Sequence, residues 1–284
     1  MRAPFEVFEP TAAETPLIVE IPHAGLELPA PFLEPITAPA RALGRDADLY
    51  VDGLYEEAPH EGATVLVCRT SRYAVDVNRA ETDVDGEVVE GARGDVALQH
   101  GLVWRSTSEG ETALSRRLTQ PELEERLELI WRPYHRKLAA LLEHKRARFG
   151  VAMVLAAHSM PSVERTVRDR AREGRGAVPP RPRADVVPGT RGRRSAAGSF
   201  IDAVEEHATG RGWTVRHDDP YAGGFTTQHY GRPAEGIHVV QVELARRLYL
   251  DEVTLRPGTG FPVVRGWCRE LVRKLGRLAM LARP

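Results

Sequence analysis

The chain has 284 residues, 42% of them hydrophobic and 28% charged. That length and apolar share suit one sizeable core spanning residues 1–284 rather than two small ones, and no stretch has the composition of an interdomain linker. A formal net charge of −1 excludes a generic nucleic-acid binder, which needs a net basic face to hold phosphates.

No run approaches the roughly 18 apolar residues of a membrane span. The opening MRAPFEVFEPTAAETP lacks the apolar stretch of a secretion signal. The two cysteines, Cys68 and Cys268, have neither close spacing nor the number for a disulfide scaffold. A reduced, cytoplasmic location is the expectation.

In chain order, residues 17–21 (LIVEI) read as a buried strand closed by Pro22, with His23 opening a loop. Residues 47–57 carry Leu49, Leu54 and Tyr55 near helical spacing, which places Asp46 and Asp48 at a helix start, where acids suit the dipole. Gly62 marks a turn, residues 63–68 a second strand and 73–77 a third short extended piece. Residues 81–110 are polar and weakly periodic, an irregular insertion near the site. The clearest helix is 121–149: Leu123, Leu127, Ile130, Trp131, Tyr134, Leu138, Leu141 and Leu142 recur at a 3–4 spacing. Thr119 is its cap, Pro121 lies in its first turn, Pro133 marks a kink or split, and Gly150 ends it.

Residues 151–157 read as a strand. Residues 165–194 are rich in Arg, Gly and Pro, a solvated and mobile loop with a short strand at 185–187. A helix at 199–209 and a short strand at 213–216 follow. PYAGGFTTQHYGRP (220–233) is too turn-prone for a core element. A strand at 237–244 and an amphipathic helix at 262–281 close the chain. Strands alternating with helices predict an α/β protein of three layers, αβα, around a mainly parallel or mixed sheet.

Polar residues stand at the ends of the apolar runs: His23 after LIVEIP, His158 after VAMVLAA, Glu243 in VVQVEL. At the exits of parallel strands such residues converge on the crevice where ligands bind. Two histidines with a carboxylate and an open position suit a catalytic zinc. Glu27, Asp46, Asp48 and Asp52 are candidates for the carboxylate. Glu243 suits a general base, the alternative being a structural pair with Arg246 or Arg247.

In SRYAVDVNR (71–79), Arg79 assisted by Asn78 suits a bidentate hold on a carboxylate, and Arg72 suits polarisation of a carbonyl. The alternative is that Arg72 or Arg79 pairs with Asp76. In 221–231, Gly223 and Gly224 permit close backbone approach to a ligand, and Thr226 and His229 offer donors. Neither a GxxxxGK[ST] phosphate loop nor a GxSxG elbow occurs.

Eight motifs follow one another: IPHAG (21–25), DAD (46–48), SRYAVDVNR (71–79), WRPYHR (131–136), AHSMPS (157–162), PGTRG (188–192), PYAGGFTTQHYGRP (220–233) and GIHVVQVELARRLYLDE (236–252). This ordered set resembles the N-formylglutamate amidohydrolases over roughly residues 17–255. The resemblance implies a phosphorylase/hydrolase-like fold related to zinc carboxypeptidases and aspartoacylase. It implies one Zn(2+) per chain, or another divalent metal, with His23 and His158 as ligands. Leu26 stands where the carboxypeptidase pattern has a ligand Glu; the amidohydrolases have acids at both 46 and 48, and the resemblance favours Asp48 as the third ligand, with Asp46 in reserve.

The same resemblance makes Glu243 the catalytic base, Arg72 the polarising group, and Asn78 and Arg79 the holders of a substrate carboxylate. Arg191 is assigned to a second one. The implied reaction converts N-formyl-L-glutamate to formate and L-glutamate in histidine degradation, with a small anionic N-acyl amino acid as partner and neither nucleic acid nor membrane. Two other readings stay open: a carboxypeptidase-like or other N-acyl-amino-acid hydrolase, and a non-catalytic binding module using its Arg-rich loop. Segments 83–112 and 163–183 depart from the family pattern and are expected to border the substrate pocket.

Overall fold

The computed structural model describes residues 3–92, 100–164 and 181–282. One sheet contains six strands: β1 (Phe5–Phe8), β2 (Leu17–Ile21), β3 (Thr64–Cys68), β4 (Ala152–Met160), β5 (Val186–Gly189) and β6 (Ile237–Ala245). Their spatial order is β1-β3-β2-β4-β6-β5. The four central strands run parallel, and the two edge strands are antiparallel to their neighbours. The central four are apolar on both faces because helices cover both.

The main helices are α1 (Ala40–Asp46), α2 (Val51–Leu54), α3 (Gln120–Arg126 continued by Leu127–Trp131 and Arg132–Phe149), α4 (Gly198–Thr209), α5 (Phe225–Tyr230) and α6 (Phe261–Leu281). Strand alternation divides the core in two. Leu17, Val19, Met153, Leu155, Val240 and Val242 face α4 and α6 through Phe200, Val204, Leu271 and Leu275. Ile18, Leu66, Val154 and Val239 face α3 through Leu123, Ile130, Tyr134 and Leu138. The layers are therefore αβα, as the sequence predicts.

Thr119 caps α3 in a reciprocal pair with Glu122, an arrangement worth about 1 kcal/mol. Pro133 neither ends nor splits this helix. A π-turn at Leu127–Trp131, in which the Arg132 N–H reaches the Leu127 carbonyl, accommodates a residue that has no N–H and whose ring crowds the preceding turn. Gly150 ends the helix at φ 77.

Several expectations are corrected. Of the helix read at 47–57 only α2 at 51–54 forms, separated from α1 by a break: Ala47 is extended and Tyr50 is left-handed at φ 64. Asp46 therefore closes α1 rather than starting a helix, and Asp48 lies in the break, its N–H on the His23 carbonyl at 2.9 Å. Residues 73–77 are turns and irregular backbone, not a strand. The piece at 213–216 contributes a single bridge, Val215 to Val186. Segment 220–233 contains α5, which buries Thr226, Thr227 and Tyr230.

Strand β4 also runs further than read, so His158 lies inside it, and Glu243 lies inside β6 as the reading of 237–244 has it. The edge strand β1, half-buried and four residues long, gave no strong periodic signal. Of the Arg-rich segment, 165–180 lies outside the described residues. The part that follows is anchored rather than loose: after β5, Asp218 accepts from the Thr190 and Gly192 N–H groups at 2.6 and 2.8 Å. Among the described residues no helix is long and apolar enough to cross a membrane.

Candidate active site

The parallel register builds the site. Glu20 pairs with Ala156, Ala156 with Gln241, and His158 with Glu243. Because side chains alternate, Glu20, His158, Gln241 and Glu243 share the face that carries Ile18, Val154 and Val239 deeper in the sheet. His23 lies two residues beyond β2, and the loop after β3 supplies Arg72, Asp76, Asn78 and Arg79. These elements meet around a cavity of about 380 Å³. Of the residues singled out from sequence, its lining includes His23, Asp46, Asp48, Arg72, Asn78, Arg79, His158, Arg191, Gly223, Gly224 and Glu243.

His158 Nδ1 and His23 Nδ1 lie 3.1 and 3.5 Å from the same Asp48 oxygen, Oδ2. One ligand atom from each residue falls within 4.8 Å of the others. Two imidazole nitrogens and a carboxylate oxygen facing a cavity form a donor set that fits a catalytic divalent metal with an open position. Behind the ligands, His23 Nε2 lies 2.7 Å from Asp76 Oδ1, the kind of outer partner that fixes a ligand ring and its tautomer. Asp48 Oδ1 accepts from the Ser159 hydroxyl at 3.0 Å and from Arg246 at 3.5 Å. Burial alone would raise the Asp48 pKa, but the hydrogen bonds and charges of His158 and His23 hold it well below the usual range.

The other acidic candidates are placed elsewhere. Asp46 lines the cavity but is engaged by the Tyr73 hydroxyl and by the Ser108 N–H and hydroxyl. Asp52 pairs with Arg69 at 2.7 Å, and Glu27 is outside the lining.

Asp76 is the buried hub. Its Oδ1 accepts from His23 Nε2 and the Asn78 N–H (2.9 Å); its Oδ2 accepts from Arg72 Nε (3.1 Å) and Nη2 (2.6 Å) and from Trp104 Nε1 (3.2 Å). Burial is overcome by the charges of Arg72 and His23, which keep this carboxyl well below its ordinary pKa. The Arg72–Asp76 pairing foreseen as an alternative is therefore present. It coexists with a place for Arg72 in the lining, where its guanidinium lies 4.2 Å from the centre of the Trp104 ring.

Among the described residues Glu243 has no such salt-bridge partner. Its Oε1 accepts from Gln241 at 2.8 Å, while Arg246 turns to Ser159 and the Ala47 carbonyl, and Arg247 to Asp185. Burial pushes the Glu243 pKa up to about 7, against the opposing charge of His158. That value suits a group that both takes and returns a proton near neutrality.

Asn78 is held by the Thr226 N–H, which donates to its Oδ1 at 3.1 Å. A Cβ on residue 224 would come within 2.4 Å of the Asn78 amide, so any larger residue there would displace that side chain. Arg79 is braced by its Nε bond to the His100 carbonyl at 2.8 Å. Arg191 adopts φ 54 and donates to the Gly223 carbonyl and Gln228.

Two expected substrate contacts lie outside the lining. Thr226 is buried and acts through Asn78 and Glu20. His229 is exposed and stacks on Phe225 at 4.8 Å, because the helical turn that buries Thr226, Thr227 and Tyr230 points it outward. Sequence reasoning missed Gln241, Ser159, His100 and Trp104 as lining residues. Gln241, two residues before Glu243 on the same strand face, was open to a period-two reading; Trp104 and His100 carried no local signal beyond lying in the insertion.

The arrangement defines an α/β protein with a histidine–carboxylate group capable of holding a metal beside a buried glutamate at the strand ends. Residues 15–250 match the family model described as N-formylglutamate amidohydrolase, and the chain belongs to that family. It is 35% identical over 243 residues to the N-formylglutamate deformylase of Pseudomonas putida, covering 84% of this chain and 82% of that one. With the N-formylglutamate deformylase of Pseudomonas aeruginosa it shares 31% identity, over 87% and 86% of the two chains. The crystal structure of an N-formylglutamate amidohydrolase from Ralstonia eutropha JMP134 superposes with a TM-score of 0.85 at 31% identity, covering 98% of both chains. A gene product of Agrobacterium tumefaciens shares the fold, with a TM-score of 0.69 at 18% identity over 97% and 96% of the chains.

Proposed function

We propose that this protein is a zinc-dependent hydrolase that cleaves N-formyl-L-glutamate to formate and L-glutamate, a single-domain cytoplasmic enzyme of histidine degradation. The carrying observation is the His23–Asp48–His158 group beside Glu243, in a cavity also lined by Arg72, Arg79 and Arg191. The family relationship supports the substrate, and the donor set supports zinc.

A divalent ion at the three ligand atoms would acidify a water and polarise the acyl oxygen. Glu243 takes a proton from water as that water adds to the formyl carbon. Arg72 stabilises the negative charge that develops on the acyl oxygen. When the carbon–nitrogen bond breaks, Glu243 returns the proton to the departing amine, leaving formate and glutamate. Asn78 and Arg79 hold one carboxylate of the substrate and Arg191 the other, which fixes the amide against the reacting groups.

Formate release by protein of measured metal content, before and after chelation, tests the reading. Turnover with about one zinc per chain that is lost on chelation and restored by zinc is expected. Chelator-resistant turnover would overturn the metal assignment. Bound zinc without formate release would overturn the substrate and redirect the search to other N-acyl amino acids.

A further inference from the structure

WRPYHR (131–136) contributes nothing to the cavity lining, yet three of its side chains reach the polar layer beneath it. Trp131 Nε1 donates to the Arg79 carbonyl at 3.0 Å. His135 Nε2 lies 2.9 Å from the Val77 carbonyl; with that nitrogen donating, Nδ1 accepts from the Tyr230 hydroxyl at 3.1 Å. Tyr134 donates to Glu20 Oε1 at 3.0 Å, and the same oxygen accepts from the Thr226 hydroxyl at 2.9 Å. The Thr226 N–H in turn holds Asn78 Oδ1.

One helix thus grips the carbonyls on both sides of Asn78 and, through Glu20 and Thr226, its side chain. Trp131 and His135 also pack against Phe225 of α5, at 5.5 and 5.0 Å between ring centres. The π-turn ends at Trp131, and such turns concentrate at functional sites. Apolar side chains would fill this layer without the desolvation cost of Glu20, Tyr134 and His135. A hydrogen-bonded polar network instead fixes one geometry, here at the cost of leaving Glu20 Oε2 without a partner among the described residues.

We propose that α3 is a strut that aims the Asn78–Arg79 clamp, with Trp131 and His135 as positioning residues for the carboxylate of the substrate. The proposal rests on the hydrolase reading above. Its test compares N-formyl-L-glutamate with N-formyl-L-glutamine α-amide, which lacks both carboxylates. Trp131→Phe keeps an aromatic ring and deletes the N–H with its part of the indole; His135→Leu removes both bonds; His135→Gln restores a donor.

Trp131→Phe and His135→Leu are expected to raise KM for N-formyl-L-glutamate about tenfold. The kcat, the zinc content and the kcat/KM for the neutral amide stay unchanged, and His135→Gln recovers most of the loss. Should His135→Leu fail to fold, Trp131→Phe carries the test. Equal losses on both substrates, loss of zinc, or an unchanged KM overturns the strut. If the wild-type protein releases no formate, the hydrolase reading fails, and the strut is then read from L-glutamate binding by calorimetry, expected to weaken about tenfold in Trp131→Phe. Wild-type protein that does neither overturns both.

Discussion

Asp76→Asn tests the buried hub while nearly preserving its shape. Five donors converge on the two oxygens of Asp76, and an asparagine offers one oxygen and one NH2 group. If the amide oxygen faces Arg72 and Trp104, the NH2 group meets His23 Nε2 and the Asn78 N–H. His23 must then accept at Nε2, which moves its proton to Nδ1, the atom facing Asp48. If the amide is reversed, Arg72 and Trp104 lose their acceptor, and a guanidinium only 14% exposed is left unpaired.

An orphaned buried donor costs about 1–3 kcal/mol and a broken buried ion pair about 3–5 kcal/mol, so a loss of about 3 kcal/mol in the metal-free protein is expected. Loss of an outer partner of a ligand histidine lowers metal affinity by about 10–100-fold. Urea unfolding reads the first quantity and competition with a chelator at fixed pH reads the second. An unchanged zinc affinity beside a fall in stability would refute the claim that Asp76 sets the His23 ring for metal.

Glu243→Gln should retain zinc and lower kcat by at least about a hundredfold; near-normal turnover in a single-turnover assay would remove the residue from the base role. Glu243 also marks stability. Its pKa rises from 4.5 unfolded to about 7 folded, so the folded state holds that proton more tightly, and metal-free protein loses its contribution as pH climbs through that window, by about 3 kcal/mol. Urea unfolding at pH 4.5 and 8 should show metal-free Glu243→Gln gaining on wild type only at the higher pH; parallel pH dependences would contradict this. Gly224→Ala drives a Cβ into the Asn78 amide and should cost up to about a hundredfold in kcat/KM, an effect that steady-state kinetics will either show or exclude. Thr119→Ala removes the α3 cap and should cost about 1 kcal/mol with activity intact; unfolding midpoints measure it, and a neutral result would deny the cap its role.

The long-period features were legible in the sequence. Apolar runs such as VAMVLAA and the 3–4 spacing of α3 report burial directly, so the layers and the placement of His23, His158 and Glu243 toward the C-terminal ends of the parallel strands could be read locally. The break at 46–50 could not, because Leu49, Leu54 and Tyr55 satisfy helical spacing while the backbone turns aside to bring Asp48 to His23. Spacing reports which side chains are buried, not where the chain must go to reach a partner far along it. The same limit hid Trp104, whose bond to Asp76 links residues 28 apart. It also turned His229, singled out by composition alone, toward solvent. Separating Asp48 from Asp46 needed the hydrogen-bond partners of each.

His158 and Glu243 stand opposite each other in a run of nine paired residues joining β4 and β6. A slip of one residue there would turn every core side chain of one strand to the wrong face, so their spacing is as durable as the fold. Asn78, Arg79, Arg191 and the two glycines ride on connecting segments that no such ladder constrains. The proposed base and one proposed metal ligand are thus tied to the sheet, whereas the proposed substrate clamps are not: exchanging 220–231 with a relative should retune which substrate is taken while leaving the His158–Glu243 spacing in place.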